Sequence, residues 1–178
     1  MIITSNTILD TLGKKEMLID AFEDITPIER KIDKFGFEYI DCADIDPKYD
    51  KETTFVADAV VRLTDHIKLY EPTKSGLKLK YAQIRKQYDT MEKPWCNERA
   101  WNRLDIHIPI NKTTGGNYNF NGNVVRPIAG NILMFDPLRD WWSVDKVQHP
   151  QYKIIFRFSD EDPNLQYSGR EEPEVWVI

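Results

Sequence analysis

The segment from Arg103 to Arg157, RLDIHIPINKTTGGNYNFNGNVVRPIAGNILMFDPLRDWWSVDKVQHPQYKIIFR, constrains the fold more than any other stretch of the chain. Turn residues cut it into short apolar runs, the rhythm of antiparallel strands in a sandwich or jelly roll rather than of alternating strands and helices. In the first run Leu104, Ile106, Ile108 and Ile110 share one side of an extended chain, and Arg103, Asp105, His107 and Pro109 share the other. One side reads as core and the other as pocket lining. Asn121-Gly122, flanked by Tyr118, Phe120, Val124 and Val125, predicts a two-residue hairpin whose central positions need positive φ, opened by Gly115-Gly116 and closed by Pro127 and Gly130. NILMF, Trp141 to Val147 and YKIIFRF predict three more strands. In the last, Ile154, Phe156 and Phe158 share one face, and Lys153, Ile155 and Arg157 the other.

The first half reads differently. Ile2-Ile3 predicts a short strand, and Ser5-Asn6 cap a helix expected over residues 6–22. FGFEYIDC predicts a strand with Phe35, Phe37 and Tyr39 on one face. Phe55, Ala59, Leu63, Ile67 and Tyr70 recur at spacings of three and four, predicting a second helix over 52–70. LKLKYAQIRKQY alternates as a half-exposed strand would, and the terminal VWVI predicts a closing strand after an acidic, irregular stretch. The expected organisation is one domain over 1–178, with 1–76 a mainly helical flank and 77–178 the barrel strands.

At 178 residues and 41% apolar content the chain is long enough for one substantial core. A net charge of −5 argues against a nucleic-acid footprint, and no apolar run approaches membrane-spanning length. No signal segment is readable, so a cytoplasmic location is expected. Cys42 and Cys96 have neither metal-ligand spacing nor the numbers of a disulfide framework, although a single bridge between them stays open.

LDIHIPIN, a glycine-bearing turn, a hairpin, V-x-P-x-x-G-x-x-x-x-F-D and a final strand with a basic residue together resemble the aspartyl/asparaginyl/proline hydroxylase branch of the Fe(II) and 2-oxoglutarate oxygenases. The resemblance covers roughly the last half of the chain and lies in pattern and order. It implies a mainly β double-stranded β-helix, cupin-like, with flanking helices. It also implies an iron held by a His-x-Asp pair and a later His, and a cosubstrate carboxylate gripped by an Arg.

At those positions this chain has other residues. Counting back eleven from His107 reaches Cys96, so the His-x-Asp slot holds Cys96-Asn97-Glu98, or Trp95-Cys96-Asn97 if the loop shifts by one. The second His slot, six or seven residues past Phe135, holds Trp141 or Trp142. Lys153 stands where the Arg is expected, with Arg157 further along the same face. His107 matches a cosubstrate-contacting His, but Asp105 replaces the Arg two residues before it. Among three histidines, His66 reads as a helix-face residue, His149 as solvent-facing, and His107 as either a pocket residue or a hydrogen-bonded core residue. A thiolate and a carboxylate beside tryptophans favour no common cation, so no metal and no cofactor are expected. Of two adjacent strand residues, one of Trp141 and Trp142 should fill the metal cavity and the other should point outward as a contact residue.

Two readings follow. One is an oxygenase-like scaffold without catalysis, its surface used for binding a protein partner or for assembly. The other is a divergent hydroxylase acting on a protein or amino-acid side chain, with Fe(II) and 2-oxoglutarate as cofactors and His107, Lys153 and Arg157 holding the cosubstrate. In the first, Asp105 is expected to pair internally with Lys153 or Arg157, a built-in carboxylate in place of a ligand.

Overall fold

A computed structural model describes residues 2–4, 14–33, 35–50, 54–88, 93–96, 103–112, 114–137 and 139–160. In chain order the elements are β1 (Ile2–Thr4), α1 (Lys15–Asp24), β2 (Lys31–Ile32), β3 (Glu38–Asp41), α2 (Thr54–Tyr70), β4 (Lys78–Gln87), β5 (Lys93–Cys96), β6 (Arg103–Pro109), β7 (Tyr118–Phe120), β8 (Asn123–Val125), β9 (Ile132–Phe135), β10 (Trp142–Val144) and β11 (Gln151–Ser159). They form a seven-stranded sheet, β1-β9-β6-β11-β4-β3-β2, and a four-stranded sheet, β5-β10-β7-β8. Every pairing is antiparallel. The antiparallel strands expected from the rhythm are present, in the double-stranded β-helix that the resemblance implies.

The two faces of the large sheet do different work. Leu104, Ile106, Ile108, Ile154, Phe156 and Phe158 form one core with Leu18 and Phe22 of α1 and with Phe55, Ala59, Leu63 and Ile67 of α2. The three-and-four spacing of α2 thus buries one stripe, as its sequence predicts. Its N-terminus is capped from Asp50, whose carboxylate accepts the Phe55 N–H at 3.1 and 3.2 Å. Glu23 ties the far end of α1 to the sheet by accepting from Lys86 of β4 and Tyr152 of β11. The opposite face of the large sheet looks toward the small sheet and encloses a second core of Tyr118, Phe120, Leu133, Phe135, Trp142 and Val144.

A bulge opposite Arg157 and Phe158 resets the phase of β4. Leu77 and Leu79 lie on the helix side before it, and Ala82 and Ile84 do so after it. Tyr81, Gln83, Arg85 and Gln87 are left for the other face. The expected hairpin is present, with Asn121 at φ +48° and Gly122 at φ +86°. Asn121 also clamps it to the chain ahead of β10: its Oδ1 accepts from the Trp141 N–H and its Nδ2 donates to Asp140.

Several expected boundaries move. The first helix begins at Lys15, and residues 6–13 with their capping residue Asn6 lie outside the described residues, as do Ser5 and VWVI. The strand expected from Phe35 begins only at Glu38, because Asp33 draws the preceding residues into a turn. The strand expected over 141–147 ends at Val144, where the Asp145 N–H donates to Asn117 and the chain turns. The flank supplies β1, β2 and β3 to the large sheet; β1 and β3 answer to the two strands expected there, and the two-residue β2 is an addition. Among the described residues no helix is long and apolar enough to cross a membrane.

Phe156, fully buried on the central strand, is a sensitive probe of this packing. Its replacement by Ala should cost about 3 to 5 kcal/mol. Val61→Ala, at a position 66% exposed, should stay within about 0.5 kcal/mol of the parent. Urea denaturation midpoints check both.

Candidate functional site

The inner face of the large sheet carries the polar residues singled out by sequence. On β6 these are Asp105 and His107, with Arg103 beside them, and on β11 they are Lys153 and Arg157, all buried except Arg157, which is partly so. β6 and β11 are direct neighbours, with Arg157 opposite Asp105 and Lys153 opposite Pro109. The basic and acidic residues therefore meet side by side on one sheet.

That register decides which cation pairs with the acid. Arg157 donates from Nε to Asp105 Oδ1 and from Nη2 to Oδ2, both at 2.8 Å, a two-pronged match of planar groups. Arg103, two residues before the acid on its own strand, adds a longer contact at 3.5 Å. Lys153 lies four residues, roughly 13 Å, along β11 and takes no part in this pair. Burial alone would raise the Asp105 carboxyl. The charges of Arg157 and Arg103, with the Arg157 hydrogen bonds, outweigh it and hold the group well below the usual carboxylate range.

Lys153 belongs to a second cluster. Its Nζ donates to the Tyr118 hydroxyl at 3.2 Å and lies 5.1 Å from the centre of that ring. The same hydroxyl is 3.0 Å from Nδ1 of His107. An ammonium only donates, so the tyrosine oxygen accepts from Lys153 and can pass its own proton toward a neutral imidazole. Burial, reinforced by the Lys153 charge, lowers the His107 pKa well below its ordinary value, so the ring is neutral in the fold. Burial likewise raises the Tyr118 phenol. His107 is thus a hydrogen-bonded residue of the interior, packed edge-on to Phe135 at 5.0 Å and Trp142 at 5.5 Å.

Trp142 of β10 pairs with Cys96 of β5 on one side and Phe120 of β7 on the other. One of the two positions that the resemblance offers for the second iron ligand, Trp142, is therefore a cross-strand neighbour of Cys96 in the first slot. The Trp142 indole is buried, 4.9 Å from Phe135 and 6.3 Å from Tyr118 between ring centres. Trp141 is half-buried, in keeping with one tryptophan turned in and its neighbour turned away. Glu98 lies outside the described residues. An indole offers no lone pair for a metal, His66 is half-buried and stacks on Tyr70 of α2, and His149 is exposed. Among the described residues no group of three His, Cys, Asp or Glu side chains converges on a point. A facial iron site built on two imidazoles does not fit these residues. Cys42, the other cysteine, is a buried free thiol whose pKa burial pushes up, which keeps it in the thiol form.

Arg103, Tyr118 and Arg85 were not singled out by sequence as site residues. Arg103 shares the parity of Asp105, which is a usable signal; Tyr118 and Arg85 reach the site only through the pairing of β7 with β10 and of β4 with β11.

No protein-family model matches the chain, and no curated protein does. Solved structures share its fold at low identity. A prolyl-4-hydroxylase from Pseudomonas putida superposes with a TM-score of 0.66 at 14% identity, over 90% of this chain and 92% of that one. A Trichoplax adhaerens prolyl hydroxylase, solved with a hypoxia-inducible-factor peptide, gives 0.66 at 11%, over 89% and 83%. HygX from Streptomyces hygroscopicus, solved with nickel and 2-oxoglutarate, gives 0.64 at 9%, over 98% and 92%. The double-stranded β-helix of these enzymes is the fold of this chain.

Removing the Asp105 carboxylate leaves Arg157 and Arg103 facing each other, so Asp105→Ala should lose about 3 to 5 kcal/mol in chemical denaturation. His107 generates a pH dependence of its own. Its folded pKa lies below the unfolded value of about 6.5, so the unfolded chain takes up the proton first and stability falls as pH drops below that value. His107→Gln should flatten the denaturation midpoint between about pH 6.5 and 5, a window in which Asp105, with its depressed pKa, stays charged.

Proposed function

We propose that this chain is an oxygenase-fold protein without oxygenase chemistry, working through its surface as a binding or assembly module for a protein partner. The observation that carries this reading is the buried Trp142 indole. It stands on β10 beside β5, at one of the two positions, 141 or 142, where the resemblance expects a metal-binding imidazole, and His107, Tyr118, Phe120 and Phe135 close around it. The Asp105–Arg157 pair supports the same reading, because an internal carboxylate already engages the guanidinium that an acidic ligand would use. Half-buried Trp141 and the exposed side chains outside the barrel are then the groups available to a partner.

One feature favours the second reading, a divergent Fe(II)- and 2-oxoglutarate-dependent hydroxylase. Lys153 is buried on the last barrel strand beside a tyrosine hydroxyl, at the position the resemblance gives to the cosubstrate's carboxylate grip. The two readings part in one assay. Under anaerobic loading with Fe(II), the purified chain is expected to retain far less than one metal per chain, and with oxygen and 2-oxoglutarate to release no succinate above a metal-free control. Tight stoichiometric iron together with succinate release would replace the first reading by the second.

A further inference from the structure

The turn after α1 presents an isoleucine to solvent on a rigid support. Pro27 fixes the backbone, and the Glu29 N–H donates to the Thr26 carbonyl at 2.9 Å and the Arg30 N–H to the Pro27 carbonyl at 3.3 Å. The Thr26 hydroxyl donates to Glu29 Oε2 at 2.6 Å. Arg30 anchors the turn in the protein. It is buried over the Phe22 ring and donates to the Ile25 carbonyl at 2.9 Å, to Glu38 at 3.0 Å and to Glu23 at 3.1 Å. Ile28, at the tip, is 94% exposed. Turn tips ordinarily carry Gly, Asn, Asp or Ser, and an isoleucine held there in a fixed position offers apolar surface at little ordering cost on contact.

A groove opens beside this turn. β2 covers only Glu38 and Tyr39 of β3, because Arg30, the residue that would continue the pairing, is turned into the bonds just described. Among the described residues, Ile40 and Asp41 are left with no strand on their outer side. The groove has a volume of about 300 Å³ and is lined by Ile25, Glu29, Lys31, Tyr39, Ile40 and Asp44. Its floor is apolar, since Ile40 belongs to the helix-side core and Ile25 packs against that core. Its rim is acidic. Lys31 is paired with Asp41 and lies 3.8 Å from Asp44, and Lys48 stands between Asp24 at 2.8 Å and Asp46 at 3.9 Å. With Glu29, whose carboxylate is bonded to Thr26, five acids stand against two lysines. Such an excess repels the phosphates of nucleic acids and of anionic lipids and attracts a cation. Among the described residues no three carboxylates converge to hold a metal ion, so the fit is a side chain with a long aliphatic stem and a positive end.

We propose that this groove docks an extended, basic segment of a protein partner. One arginine of the segment lays its stem on Ile25 and Ile40 and sets its guanidinium between Glu29 and Asp44. An apolar residue two positions away, on the same side of the extended chain, packs on Ile28. The proposal rests on the reading of this chain as a binding module, and it names the face that binds and the chemistry that face takes.

The probe is a fluorescein-labelled peptide, Leu-Ser-Arg-Ser-Leu, titrated with the full chain and followed by fluorescence anisotropy. It should bind with a Kd at or below about 1 mM. The same peptide with Glu in place of its Arg, or with Ser in place of both Leu, should bind at least about tenfold more weakly, the loss typical of one strong interface side chain. On the protein, Ile28→Ser and Glu29→Lys each remove one contact at an exposed position and should also weaken binding about tenfold. Urea denaturation midpoints at the parent value establish that these variants are folded. Asp65→Lys makes the same charge change as Glu29→Lys on the exposed face of α2, where the Asp65 side chain is 74% exposed, and should leave the Kd at the parent value. No binding of the parent peptide at millimolar concentration, a Kd untouched by either site variant, or an equal loss with Asp65→Lys would each overturn the groove. Those outcomes leave the binding-module reading standing, since that reading falls on tight iron and succinate release instead.

Discussion

A carboxylate with 1% of its side chain exposed has to be neutralised where it sits, and Asp105 meets that demand through the guanidinium on the neighbouring strand. The pair fixes more than itself. Sliding β6 by one residue against β11 would turn Asp105 into the helix-side core and bring Ile106 to the polar face, so the ion pair and the apolar alternation enforce one register together. From that register follows the placement of His107 beside Tyr118 and of Lys153 beside the same hydroxyl. The inner face is thus a set of coupled polar contacts, each satisfied by a residue that alternation puts on the same side.

The enclosing aromatic core completes this arrangement. Phe120, Phe135 and Trp142 bury large surfaces against a wall of charged and hydrogen-bonding groups, and the Phe135 and Trp142 rings reach His107 edge-on. The likeness to prolyl hydroxylases and to HygX, at identities of 14% and below, lies in the scaffold. Backbone hydrogen bonding and in/out alternation define that scaffold, and many side-chain sets satisfy both. What fills the centre is a separate matter of side-chain chemistry.

Much of the fold was legible because it depends on short-range rules. Period-two alternation in 103–110 and 151–158 marked both faces of the central strands, and the spacing of Phe55, Ala59, Leu63 and Ile67 marked the buried stripe of α2. Asp105 as an internal acid was legible too, because a lone carboxylate on an inward face requires a cation. The choice of Arg157 over Lys153 was not, since it depends on which strands are neighbours, a fact of topology invisible in local pattern. Phe35 and Phe37 were misread as strand residues for a related reason. Their alternation suits a strand, but Asp33 captures their N–H groups first, a local side-chain bond that competes with the ladder. Tyr118 carried no signal of its own, its role arising where β7 lies against β10.

The position of β11 has a consequence for how the chain can be made. Of the strands described, it is the last in sequence, yet it lies in the middle of the large sheet, between β6 and β4. Until residues 151–159 have left the ribosome, β1, β9 and β6 on one side and β4, β3 and β2 on the other have no strand to join them. The two helices meanwhile have only part of the apolar surface they cover in the finished protein. A nascent chain at that stage exposes unpaired strand edges and uncovered Ile and Phe side chains, the features that recruit aggregation partners or chaperones. Assembly of this barrel therefore waits on one late segment, whose arrival joins the halves of the sheet and brings Arg157 to the buried acid in the same event.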